Sequence, residues 1–323
     1  MSYQSPLVSI IVPTFNRVHL IGETLDSVLA QTYTNWECIV VDDGSSDGTQ
    51  KLLEHYARDD ERFRYYPRPT SKLKGSASCR NYALEKALGT YVIFLDSDDL
   101  LAPFCLEKRL DFVSKNQSHD LWIFPMQSFV GTLDDKKHVY GSFETVKSRA
   151  FFIQKFYAGQ HPFAITCVFW KKDTLLKLNG FNDRLQIFTD PDLHLRMLEQ
   201  GFDFKLALSY PVDCYYRLLE NFHKKHNSNF ILKNNLVFFE SHLNSGILES
   251  VTYFKKVYSA YIFDEKRFSY LPKYNQLGIR KKVFGYGIYF SSVSVLLYHV
   301  LGLHRVNNSG YHFLKRVFNK NFN

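Results

Sequence analysis

Three short apolar runs, each stopping at a polar or acidic cluster, restrict what this chain can fold into. Val8 to Val12 reads VSIIV and stops at Pro13-Thr14-Phe15-Asn16. Trp36 to Val41 stops at Asp42-Asp43-Gly44, and Tyr91 to Leu95 stops at Asp96-Ser97-Asp98-Asp99. Continuous apolar runs of this length read as strands buried on both faces, the pattern of a parallel sheet. Leu20, Ile21, Leu25, Val28 and Leu29 recur between them at helical spacing. Thr49 to Ala57 and Ser78 to Leu88 also read as helices, and Arg62 to Tyr66 as a short strand. Strands alternating with helices imply right-handed crossovers and an α/β fold with a mostly parallel sheet. In such sheets ligands bind beyond the C-terminal strand ends, which is where all three polar clusters fall.

The acidic cluster carries the clearest chemistry. Carboxylates at Asp96, Asp98 and Asp99 repel one another unless a cation or hydrogen-bond donors sit among them. Hard cations such as Mg²⁺ and Mn²⁺ take carboxylate oxygens and bridge phosphates. The competing reading is a helix N-cap and first turn, where Asp is also favoured. Asp42 to Thr49 reads either as a strand-to-helix turn capped by Asp47 or Thr49, or as a site where Asp43 accepts a hydrogen bond from a base. No G-x-G-x-x-G follows any strand, which argues against a dinucleotide cofactor.

Four segments together resemble glycosyltransferase family 2, whose members are inverting enzymes with the GT-A fold. They are Val8 to Arg17 (VSIIVPTFNR), Val40 to Thr49 (VVDDGSSDGT), Gly75 to Asn81 (GSASCRN) and Phe94 to Asp99 (FLDSDD). A weaker likeness, through Gly180 to Asp183 and Asp190 to Arg196, continues to about residue 217. The resemblance implies a nucleotide-sugar donor. Pro13, Thr14, Phe15 and Asn16 would line the base pocket, with Asp43 on the uracil edge. Arg80, helped by Lys74, would face the base or diphosphate, Asp96 would hold the ribose, and Ser97 would belong to the same nucleotide-sugar site. Asp98 and Asp99 would bind Mn²⁺ or Mg²⁺, with His223 as a further metal ligand and His161 and His226 as alternatives. Asp190 matches the family's general base. The same residue also reads as the N-cap of a helix from Pro191 to Gln200, with proline at its first position. Arg196 on that helix reads equally as structural or functional.

The resemblance divides the chain into a GT-A domain over residues 1–220 and a helical extension over 221–323. Within the domain, a nucleotide-binding half would run to residue 100 and an acceptor half over 101–220. The extension holds the charge asymmetry. Against 32 acidic residues there are 40 Lys and Arg, a net charge of +8, and ten of those basic residues follow the last acidic one, Glu265. Such a tail seeks anionic partners. Val283 to Leu303 carries no formal charge but holds three Gly, three Ser, three Tyr and His299. That is polar for a membrane span, so the expectation is a segment on the membrane surface or packed on the body. No recognised nucleic-acid-binding module accompanies the charge. The five cysteines show no C-x-x-C spacing and read as free buried thiols. MSYQSPL lacks the pattern of a signal peptide. The expected setting is therefore cytoplasmic, peripheral on the inner face of the membrane, with a glycan or lipid-linked oligosaccharide as acceptor in surface polysaccharide synthesis. The alternatives are a nucleotidyltransferase and a non-catalytic nucleotide-sugar-binding scaffold.

Overall fold

A computed structural model describes residues 5–218, 228–244, 246–261 and 270–283. It divides into two compact units, Met1–Phe156 with Gln160–Phe222, and Tyr157–Gly159 with His223–Asn323. The first begins β1 (Val8–Thr14), α1 (Ile21–Leu29), β2 (Trp36–Asp42), α2 (Thr49–Asp59), β3 (Phe63–Pro67), α3 (Ser76–Lys86) and β4 (Tyr91–Phe94), the alternation the sequence predicts. The chain continues through β5 (Leu100–Leu101), α4 (Cys105–Ser114), β6 (Leu121–Ile123), β7 (Met126–Val130), β8 (Thr132–Tyr140) and α5 (Arg149–Tyr157). Then come β9 (Val168–Lys171), α6 (Lys172–Lys177), α7 (Thr189–Glu199), β10 (Phe204–Leu206) and β11 (Cys214–Arg217).

Seven strands form one sheet in the order β10-β6-β9-β4-β1-β2-β3. All neighbours are parallel except β9, which runs against β4 and β6. β1 and β2 are central and buried along their whole length, which is why both read as continuous apolar runs. α1 buries Ile21, Thr24, Leu25 and Val28, one face at helical spacing. The register sets Thr14 beside Asp42, and the Leu95 N–H donates to the Ile11 carbonyl at 2.9 Å. The polar clusters after β1, β2 and β4 therefore emerge on one edge.

A smaller sheet, β5-β11-β7-β8, starts from the chain just after Asp99. Its edge strand β8 is exposed almost throughout and carries Asp134, Asp135, Lys136 and Lys137, charges that discourage pairing with another chain. Behind this sheet, Arg109 of α4 makes a fully buried two-pronged ion pair with Asp213, at 2.6 and 2.7 Å. Asn81 of α3 donates to the Phe181 carbonyl and accepts from its N–H, at 2.9 and 2.8 Å. Gly180 beside it has φ of 60°, and a Cβ there would collide with the Asn81 side chain, so glycine is required. All five cysteines are free and buried, as the sequence predicts.

In the second unit, α8 (Ser228–His242), α9 (Leu248–Tyr261) and α10 (Leu271–Arg280) share an aromatic core around Phe239, Phe254, Tyr258 and Tyr274. Tyr274 donates to the Leu232 carbonyl at 3.2 Å, and Tyr258 to the Asn275 side chain. No helix among the described residues is long and apolar enough to cross a membrane. His223 and all of the uncharged segment beyond Val283 lie outside the described residues.

Candidate active site

Two loops at the sheet edge are tied together before any ligand is considered. The Asp43 N–H donates to the Thr14 carbonyl at 2.8 Å. Asn16, at φ 51°, receives the Ser46 N–H on its side chain and donates its own N–H to Ser45 Oγ, both at 2.8 Å. Asp47 accepts from the N–H groups of Val18 and Thr49, so it serves both loops, while the N-cap of α2 is Gly48 and neither Asp47 nor Thr49. Pro13 and Thr14 are buried within β1, whereas Phe15 is 46% exposed at the mouth. The Lys74 ammonium stands 5.6 Å from the centre of the Phe15 ring.

Asp43 is held from two sides. Arg68 pairs with one carboxylate oxygen, and the Gly75 N–H donates to the other at 3.0 Å. A carboxylate has about four lone-pair sites, so acceptor capacity remains. The sequence reading did not single out Arg68. Its contact with Asp43 spans 25 residues, and no local pattern announces it.

Each carboxylate of the acidic loop faces an arginine. Asp96 accepts from Arg80 at 2.5 Å, Asp98 lies 3.6 Å from Arg17, and Asp99 accepts the Arg217 N–H at 3.0 Å. Ser97 is buried between them. Asp99 is only 1% exposed and anchors the loop from within. Arg217 completes the anchor, because its guanidinium donates to the Asp98 carbonyl, the Gly131 carbonyl and Glu23. Burial, then the Asp96 charge, pushes the Asp98 carboxyl up to about 6, with Arg17 the main opposing influence. Asp99 is also raised, by burial and then by Asp96 and Asp98. Tyr216, one residue before Arg217, has its hydroxyl raised by burial and then by the same three aspartates.

This surplus of negative charge on hard oxygen donors fits a divalent cation at Asp98. Among the described residues no group of three or more His, Cys, Asp or Glu could hold a metal ion. Mg²⁺-type sites commonly use one or two carboxylates and complete their shell with substrate phosphates and water, so the single, partly exposed Asp98 suits that mode.

Arg80 joins the acidic loop to the second half of the unit. It is 3% exposed, and besides Asp96 it reaches Asp190 at 3.2 Å and Thr189 Oγ1 at 3.3 Å. Burial opposes its charge, but Asp96 and Asp190 together raise its pKa. Its Nε is buried with no hydrogen-bond partner among the described residues. Asp190 is not an N-cap. α7 starts at Thr189 behind Phe188, which takes the left-handed conformation at φ 64° and makes no side-chain cap. Asp190 and Pro191 therefore sit inside the first turn, and the Asp190 carboxylate turns to Arg80 and Thr189. Arg196 bonds Asp192 and the carbonyls of Leu178 and Gly180, which is a structural role.

His194 lies one turn beyond Asp190, fully buried against Phe163, Phe156 and Trp170. Neither ring nitrogen has a hydrogen-bond partner among the described residues. Burial, then His161 and Arg80, lowers its pKa to about 3.

A mostly parallel sheet that carries an acidic loop at one edge, with Arg80 tying that loop to Asp190 of α7, defines a fold of the GT-A type. The family model for Glycosyl transferase family 2 matches residues 9–174, half of the chain, and the protein belongs to that family. Among curated proteins it is 46% identical over 114 residues to the putative teichuronic acid biosynthesis glycosyltransferase TuaG of Bacillus subtilis, covering 35% of this chain and 44% of that one. It is 44% identical over 111 residues to WfgD of Escherichia coli, a UDP-Glc:alpha-D-GlcNAc-diphosphoundecaprenol beta-1,3-glucosyltransferase, covering 34% and 42%. The chain thus spans less than half the length of these relatives. Among solved structures, S. aureus TarS 1-349 in complex with UDP-GlcNAc matches with a TM-score of 0.65 at 18% identity, over 89% of this chain and 87% of that one. At that identity the likeness establishes the fold.

Proposed function

We propose that this protein moves a sugar, with inversion, from a uridine diphosphate sugar to a hydroxyl of a glycan or lipid-linked acceptor in surface polysaccharide synthesis. The observation that carries the proposal is the Arg80 bridge. One guanidinium gathers Asp96 of the acidic loop and Asp190 of the first turn of α7. TuaG is named for teichuronic acid biosynthesis, and WfgD for a UDP-Glc donor and a GlcNAc-diphosphoundecaprenol acceptor, which supports the same reading here.

In this mechanism Asp43 accepts the uracil N3–H, Phe15 and Asn16 flank the base, and Asp96 takes the ribose. Arg80 supplies positive charge for the base or diphosphate side of the donor. Asp98, on a loop anchored by Asp99, would hold Mn²⁺ or Mg²⁺, which when bound offsets the charge of the departing nucleoside diphosphate. Asp190 removes the proton of the acceptor hydroxyl as its oxygen attacks the anomeric carbon on the face opposite the leaving group. Arg80 and Thr189 fix that carboxylate so that its remaining oxygen faces the acceptor. The basic residues after Glu265 bring the enzyme to the anionic inner face of the membrane, where a lipid-linked acceptor resides.

A direct test is release of UDP from a panel of UDP-sugars with Mn²⁺, with and without a diphosphate-lipid acceptor. Slow hydrolysis, accelerated by acceptor, is expected. No release from any nucleotide sugar would make the protein a binding scaffold.

A further inference from the structure

We infer that Tyr216, Tyr140 and His138 form a subsite for the acceptor's sugar rings, an inference that rests on the transferase reading of the adjoining acidic loop. β11 runs antiparallel to β5 with Cys214 opposite Leu101 and Tyr215 opposite Leu100. That register carries Tyr216 level with Asp99, and the next residue's N–H bonds the Asp99 carboxylate. Across the sheet, Tyr216 pairs with Ser128 of β7. The Ser128 hydroxyl donates to the His138 carbonyl at 2.9 Å and accepts the His138 N–H at 2.8 Å. The ring centres of Tyr216 and Tyr140 are 6.3 Å apart, and those of Tyr140 and His138 4.7 Å, each pair nearly perpendicular. A row of rings therefore starts beside the acidic loop and ends at exposed His138.

The chemistry of the row suits a carbohydrate. Both tyrosines are half-buried, and among the described residues neither hydroxyl has a hydrogen-bond partner. A sugar ring presents apolar C–H faces within a rim of hydroxyls. A half-buried tyrosine presents an aromatic body and a hydroxyl that both donates and accepts. Edge-to-face contacts fix each ring, so little ordering cost remains at binding.

The position of the row selects the acceptor over the donor. The proposed base contacts follow β1 and β2 of the large sheet and the ribose contact, Asp96, follows β4, whereas the row belongs to the small sheet, which begins after the acidic loop. A single donor sugar also has no need of three rings leading outward, but a glycan chain does.

The test uses the full-length protein with UDP and Mn²⁺ on a glycan array, read beside UDP affinity. The unmodified protein should retain a defined set of glycans. Tyr140→Ala and Tyr216→Ala should each weaken that retention about tenfold, the scale of one aromatic contact, with UDP affinity unchanged. Tyr216→Phe, which keeps the ring, should lose less. His138→Ala, at an exposed position, should weaken only glycans longer than one ring, and with Tyr140→Ala it carries the test if Tyr216→Ala does not fold. The inference is overturned if the unmodified protein retains no glycan, if the alanine variants retain the same glycans equally well, or if UDP affinity falls in step. Failure of the transferase reading shows separately, as absence of UDP release from nucleotide sugars.

Discussion

Arg80 and Asp190 are 110 residues apart in sequence and 3.2 Å apart in the fold. The same guanidinium holds Asp96 at 2.5 Å, so α3 fastens the acidic loop to the first turn of α7. Two partly exposed carboxylates on one buried arginine make a rigid link, because the planar fork allows few alternative geometries. This link makes the proposed donor and acceptor chemistry parts of one site, and the following outcomes depend on it.

The proposed cation site makes UDP binding metal-dependent. Asp98 is the acidic-loop carboxylate that combines partial exposure with a raised pKa, while Asp99 is consumed as an anchor. UDP affinity should rise with Mn²⁺ or Mg²⁺, and Asp98→Asn should remove most of that gain while the melting temperature holds. Calorimetric titration of UDP in chelator and in Mn²⁺ gives the answer. Equal affinities in the unmodified protein would remove the metal from the mechanism.

Base selection should run through Asp43. A carboxylate accepts the uracil N3–H, whereas an amide can also donate to the unprotonated N3 of cytosine. Asp43→Asn should therefore weaken UDP by ~1–3 kcal/mol, the scale of a charge-assisted hydrogen bond, and narrow its advantage over CDP. The ratio of the two affinities is the readout, because loss of the Arg68 and Gly75 contacts would lower both together.

The continuous apolar runs made the strands at Val8, Trp36 and Tyr91 legible, since burial on both faces leaves no polar alternation to misread. The motif Gly75 to Asn81 and the weaker one at Gly180 were legible separately, and the structure joins them through Asn81 and Phe181. The start of α7 was not legible. Pro191 favours the first helical position, so it pointed to a helix beginning there with Asp190 as cap. The helix instead begins at Thr189, because Phe188 adopts a left-handed conformation that no local preference assigns to a bulky aromatic residue. Arg68 and Arg217 were missed for a related reason. Their roles come from partners 25 and up to 194 residues away, and lone arginines carry no periodic signal. The exposed edge strand β8 reads TLDDKKHVY, whose charges hide its pairing with β7.

Acid should destabilise the protein through His194. Its folded pKa of about 3 lies below the ordinary 6.5, so between these values the unfolded chain binds a proton that the folded chain does not. The stability it contributes is complete above pH 6.5 and is lost as pH falls toward 3, at up to ~1.4 kcal/mol per pH unit. Asp98, raised to about 6, acts in the opposite sense over part of that window. A difference measurement isolates the histidine. Urea unfolding of His194→Phe and of the unmodified protein at pH 7 and pH 5 should show a smaller loss for the variant. Equal losses would mean that water or a shift of packing lets the folded state take the proton.

Adsorption to anionic vesicles should depend on salt and on the basic tail. Each Lys or Arg near an anionic surface contributes about 1 kcal/mol, and screening removes this within a Debye length. The full-length protein should sediment with phosphatidylglycerol vesicles at low salt and leave them at high salt. Truncation is best placed after Val283. A cut at Pro272 would strip Tyr274 and Leu277 from the core of the second unit. A protein that ignores these vesicles at low salt has no electrostatic membrane affinity.

The general base decides the mechanism, and Asp190→Asn isolates it. The amide keeps the size of the side chain and an oxygen to accept from Arg80 and Thr189, so the first turn of α7 should persist. What the substitution removes is the capacity to take a proton at neutral pH, a loss worth roughly 10²–10⁴-fold in rate. Donor binding should stay near that of the unmodified protein, because Asp190 makes no proposed contact with the nucleotide. The comparison with Arg80→Lys sharpens the result. A lysine cannot span Asp96 and Asp190 as the guanidinium does, so that variant should lose UDP affinity and transfer together. Separation of binding from transfer in one variant and their joint loss in the other is the expected signature. The measurements are single-turnover transfer to a diphosphate-lipid acceptor and UDP titration, each on protein with an unchanged melting curve. Full transfer by folded Asp190→Asn would move the base to another group and leave Asp190 as a structural partner of Arg80.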